Sequence, residues 1–67
     1  MTEAEQIRQL TIIKNVCSRV PRYKHPEIAA MADWYLKQAI THRAEEQETE
    51  QFIKNVADRY LPEHFLW

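Results

Sequence analysis

The 67-residue chain contains no glycine. Glycine supplies the left-handed backbone conformations that helix ends, tight hairpins, phosphate-cradling loops and nucleophile turns usually need. At an average usage of about 7%, roughly four or five would be expected in a chain of this size. Their absence removes most nucleotide-binding and catalytic loop designs and most β-hairpins. What remains is helices joined by other means, and so a small all-α protein that works through its surface.

The length allows one domain, spanning residues 1–67, with a short apolar tail over 62–67. Such a chain buries only about 60% of the surface it exposes when unfolded, so a solitary core is marginal. Small scaffolds add disulfides, a metal or oligomerisation in compensation. Cys17 is the sole cysteine, which rules out a disulfide within one chain. Its place on an apolar helix side reads as a small buried hydrophobe. Self-association is the remaining support, and a homodimer is expected. No cationic start leads into an apolar run, and no stretch nears the ~18 apolar residues of a membrane span. The expectation is a cytoplasmic protein without a membrane partner.

The net charge is −1, which argues against a general nucleic-acid binder, yet the charges are unevenly placed. Between Gln6 and Pro26 lie five cations (Arg8, Lys14, Arg19, Arg22, Lys24) and no acid, whereas the remainder is acidic. A cationic front and an anionic back attract each other within one chain or between copies.

Thr2 and Glu5 have the T-x-x-E spacing of a capping box. After them Ile7, Leu10, Ile13, Val16, Cys17 and Val20 recur at three- and four-residue steps, opposite Arg8, Thr11, Asn15, Ser18 and Arg19. This predicts a helix over about 3–19, stopped because Pro21 disfavours helical geometry at Val20. Pro26 suits the first position of a second helix, over about 26–44. There Ile28, Met31, Ala32, Tyr35, Ala39 and His42 form one face, Ala29, Leu36 and Ile40 widen it, and Trp34 sits apart. Phe52, Ile53, Val56, Ala57, Tyr60 and Leu61 predict a third helix, over about 49–61.

The segment from Arg43 to Gln51 admits two architectures. Apart from Thr49, a candidate N-cap, it holds no turn residue, and most of it favours helix. At 100° per residue the apolar phase of the second helix is kept into the third. Either the chain reverses near Glu46–Thr49 and closes a compact bundle, or helices two and three form one rod about 50 Å long. A second chain would then have to cover half of that rod.

No residue pattern reads as an active site. Walker, dinucleotide and nucleophile-elbow motifs all require glycine, and Cys17 and Ser18 have no histidine at helical spacing. His42, Glu46 and Glu50 are spaced four apart, as metal ligands on one helix face would be. In a stretch this rich in carboxylates that spacing reads as a solvated face, so no metal or cofactor is expected. His25 reads as a helix-start residue and His64 as part of the tail.

Three features point to partners. Arg19, Arg22 and Lys24 surround Tyr23 in the turn 19–25, a group able to dock on an acidic protein surface or grip a phosphate backbone. Trp34 is of the type enriched at interface hot spots. The tail residues Phe65, Leu66 and Trp67 are too apolar for a solvated end. These eight residues are the candidate partner-binding set. The reading is a non-enzymatic protein-binding regulator or adaptor, homodimeric and without a small-molecule substrate, that occupies a larger protein's surface. The alternative is a nucleic-acid-binding regulator using the turn 19–25. In size and manner the chain resembles accessory proteins of phages and bacterial mobile elements, a likeness of style that no motif carries.

Overall fold

The computed structural model describes residues 1–61. They form α1 (Glu3–Arg19), α2 (Pro26–Ile40) and α3 (Glu46–Arg59), with a 3₁₀ turn over Pro21–Tyr23 between the first two. The compact bundle is therefore the architecture adopted. The described part measures 32 × 22 × 15 Å.

Helix α1 has the predicted bounds. Its N-cap is Thr2, whose Oγ1 accepts the backbone N–H of Glu5 at 3.2 Å. No return bond from the Glu5 side chain forms among the described residues, so the box is half made. The apolar stripe buries Leu10, Ile13 and Cys17 completely. Gln6, which its polarity hid from the pattern, is buried as well, and its Nε2 donates to the Glu46 carbonyl at 3.1 Å. Val20 turns extended before Pro21, and the helix ends there.

Helix α2 begins at Pro26, as expected of a residue without an N–H to leave unsatisfied. Its buried positions are Ala29, Ala32 and Ala39, with Ile28, Tyr35 and Leu36 half-buried beside them. The inward face is thus rotated toward the flank of the expected stripe, and Met31, assigned to that stripe, is 46% exposed. Three alanines explain the rotation. They let α1 lie close along α2, which is where α1 makes most of its packing, whereas bulkier Met31 would hold the helices apart. On the other side Tyr35 spaces α3 from α2 by stacking on Phe52, with ring centroids 4.6 Å apart.

The chain reverses earlier than expected, over Thr41–Glu45, and α2 ends at Ile40 instead of residue 44. His42 adopts φ 58°, the left-handed conformation that ordinarily calls for glycine. Around it the Arg43 N–H donates to the Gln38 carbonyl at 2.8 Å and the His42 N–H to the Ala39 carbonyl at 3.2 Å. These are the two bonds of a Schellman motif, with histidine in the glycine position. The kept phase of the apolar residues is thus not a sign of continuity: α2 and α3 are separate.

Helix α3 starts at Glu46 rather than Thr49. Glu45 caps it, its carboxylate accepting the N–H groups of Gln47 at 3.2 Å and Glu48 at 2.6 Å. Thr49 lies inside the helix, fully buried, with its hydroxyl donating to the Glu45 carbonyl. Glu46 and Glu48 occupy the first turn, where the helix dipole favours negative charge. The acidic run is accordingly a helix start. Phe52, Ile53, Val56 and Ala57 then complete the core, and Leu61 seals its end. Each fully buried large aliphatic, such as Leu10 or Ile53, contributes about 1.5–3 kcal/mol by leaving water.

Candidate interaction surface

The core closes without Trp34, Met31 or Ile40, which are 56%, 46% and 56% exposed. Trp34 lies on the side of α2 opposite Ala32 and Leu36. Its ring meets the edge of Tyr35 at 5.1 Å, so one flank is supported from within its own helix. The helical repeat places Glu27, Ala30, Lys37 and Thr41 in the same row as Trp34, and all are exposed. Beside the row Asp33 holds Lys14 of α1 at 2.9 Å and Lys37 at 3.0 Å. The Lys14 ammonium first, and then that of Lys37, hold the Asp33 carboxyl below its usual range.

The cations of the first connection gather at one end of the bundle. Arg19, Arg22 and Lys24 are exposed there, joined by Arg59 from the last turn of α3, which the sequence did not group with them. Arg22 places its guanidinium 5.5 Å from the centroid of half-buried Tyr23. His25, at the N-cap of α2, meets Tyr60 edge-on at 4.7 Å. The end therefore combines cations with aromatic surface. The predicted contacts Phe65, Leu66 and Trp67, and His64, lie outside the described residues.

The opposite end is acidic. Glu3, Glu45 and Glu46 surround the second connection, and Glu50 pairs with the Met1 amino group at 3.0 Å. That contact raises the pKa of the amine and lowers that of Glu50. Tyr35 donates its hydroxyl to Glu48 at 3.2 Å, and its pKa rises through burial first and the carboxylate second. A hollow of about 190 Å³ is lined by Glu3, Gln6, His42, Ala44 and Glu46, below the ~300 Å³ of small-ligand pockets. His42 sits in the connection, its Nδ1 3.1 Å from Glu3, so His42, Glu46 and Glu50 do not share one helix face. Among the described residues no group of three or more His, Cys, Asp or Glu side chains could hold a metal ion.

The described serine and threonine hydroxyls are all hydrogen-bonded within the fold. The hydroxyls of Thr11, Ser18, Thr41 and Thr49 donate to carbonyls one turn back, and that of Thr2 caps α1. Cys17 is buried, and burial raises its thiol pKa. No described helix is long and apolar enough to cross a membrane. No family model, curated protein or solved structure matches the chain.

Proposed function

We propose that the chain is a small non-enzymatic protein-binding regulator or adaptor of the cytoplasm, which acts as a homodimer by occupying the surface of a larger partner. One observation carries this reading. Trp34 stands more than half exposed beside exposed Met31, on a helix whose inward face is complete without either. A tryptophan offers large contact area at little cost in side-chain freedom, which is why it concentrates at interface centres. The engagement of the described serine and threonine hydroxyls and the burial of Cys17 support a role without covalent chemistry. The cationic end, with Arg19, Arg22, Tyr23 and Lys24, suits an acidic partner surface. Phe65, Leu66 and Trp67 remain part of the proposed contact set, in the manner of accessory proteins carried by phages and mobile elements.

A photo-activatable phenylalanine analogue at Met31, compared with one at exposed Asn15 on α1, tests this in the cells that make the protein. Adducts with protein from position 31 and none from 15 are expected. Equal labelling from both would overturn the assignment of the face.

The alternative reading, a nucleic-acid-binding regulator, gains from the separation of charge. The acidic segment from Glu45 to Glu50 lies at the far end from the basic turn, which has Glu27 and Asp58 as its nearer acids. Random duplex DNA at low salt decides it. Binding tighter than about 100 μM that is lost in Arg22→Glu would favour this alternative, and none would remove it.

A further inference from the structure

We infer that the outer face of α2 is where a second copy of this chain docks, the two α2 helices packing antiparallel about a two-fold axis. This rests on the reading of that face as a docking surface, names a second copy as its occupant, and leaves the cationic end to the larger partner. Glu27, Ala30, Trp34, Lys37 and Thr41 recur at steps of three, four, three and four, the seam spacing of paired helices. All five are exposed, and none is needed by the core.

The order along the seam is acid, small, large, base. Reversed, it reads base, large, small, acid, so an antiparallel copy matches it at the four layers from Glu27 to Lys37, with Thr41 beyond the overlap. Trp34 of each chain would face Ala30 of the other, a large side chain over a small one, and Glu27 would face Lys37 at both ends. A parallel pair would instead oppose like with like: acid to acid, base to base and one indole to the other. The antiparallel arrangement is isologous, each residue meeting its partner twice, as a two-fold dimer requires.

The ion pairs inside one chain are compatible with this contact. Glu27 forms no ion pair with a described residue, and Lys37 is 71% exposed where it meets Asp33. If Lys37 turned to the second copy, Asp33 would keep Lys14 at 2.9 Å. One pair of four-turn helices falls at the small end of specific interfaces, which bury about 1,200–2,000 Å² in all. The dimer is therefore expected to be weak and concentration-dependent. It leaves both cationic ends uncovered for a larger partner.

Sedimentation velocity over a concentration series tests the inference, with circular dichroism on each variant to confirm its fold. Wild type is expected to pass from monomer to dimer, and Trp34→Ala to raise the dissociation constant about thirtyfold or more. Glu27→Lys and Lys37→Glu should each weaken the dimer, while the double variant, and an equimolar mixture of the two single variants, should recover it. The mixture sets an all-cationic seam against an all-anionic one, a rescue that a different self-contact would not give. A protein that stays monomeric to about 1 mM, or a dimer indifferent to these changes, overturns the inference. If it is monomeric while position 31 still crosslinks to a different protein, the second copy is the wrong occupant and the docking face stands. If position 31 labels nothing, the reading of the face falls as well.

Discussion

The connection from Val20 to His25 and that from Thr41 to Glu45 both turn the chain back on itself, and they use opposite chemistry. The first contains Pro21 and is followed by Pro26, and its backbone stays in ordinary extended and 3₁₀ regions, with Val20 at φ −88° and Lys24 at φ −64°. It is held by the His25 N–H donating to the Cys17 carbonyl at 2.9 Å. The second has no proline. It turns on one left-handed histidine, a Schellman pair of bonds and a glutamate cap. A chain can therefore dispense with glycine in two ways, by stiffening the turn beforehand or by holding a non-glycine residue where glycine belongs. The first restricts the unfolded chain, and the second is sustained by native contacts.

The largest test of that contrast is His42→Pro. Proline is fixed near φ −65° and has no N–H for the Ala39 carbonyl, so the reversal cannot form. A loss of about 3 kcal/mol or more is expected, comparable to the whole stability of a domain this small. Thermal melts followed by circular dichroism should show no cooperative transition; a melt like wild type would mean the reversal does not depend on position 42.

Glycine placed in each connection should act with opposite sign. His42→Gly relieves the left-handed strain and is expected to stabilise by about 1 kcal/mol, raising Tm by roughly 4–8 °C. Lys24→Gly gains no backbone relief and loosens the unfolded chain, so it should cost about 0.5–1 kcal/mol. Shifts of the same sign would dissolve the distinction between the two turns.

A smaller effect comes from pH. The Met1–Glu50 pair ties the start of α1 to α3 near the second connection. The amine is raised in the fold, so its contribution is complete below about pH 8 and is lost as pH climbs through the raised value. Glu50 is lowered, so its contribution is present above about pH 4.3 and is lost as pH falls through the lowered value. Asp33 weakens on the acid side in the same way. Hydrogen exchange at about pH 3, 6 and 9, corrected for intrinsic rates, should show α3 best protected near pH 6. Equal loosening of residues 20–25 would remove the contrast.

The first connection was legible because proline acts locally: it sets its own backbone angle and constrains the residue before it, and both effects are written in the sequence. The start of α3 was legible in principle. Acids enriched ahead of an apolar stripe are a helix-start signal, but helix-favouring Glu45–Glu48 suited a reversal near Glu46–Thr49 and an unbroken rod equally. The turn at His42 carried only a weak signal, since histidine enters the left-handed region more often than most residues but far less readily than glycine.

The same division runs through the candidate surface. The apolar periodicity by itself determined that the chain folds as amphipathic helices, because a stripe must leave water whatever covers it, and the Thr2 cap and Pro21 bounded α1; whether the second and third stripes belong to one helix or two it left open. It did not determine which side of α2 turns inward. Ala29, Ala32 and Ala39 won that side from Met31 through how closely α1 can approach, a property of two surfaces that neither helix holds alone. Tertiary packing thereby left Trp34 outside and brought Arg59 to the cationic end. The missing glycine limited how the chain could turn; only the packed structure decided where it does, because a strained residue is tolerated only where the contacts around it are strong enough.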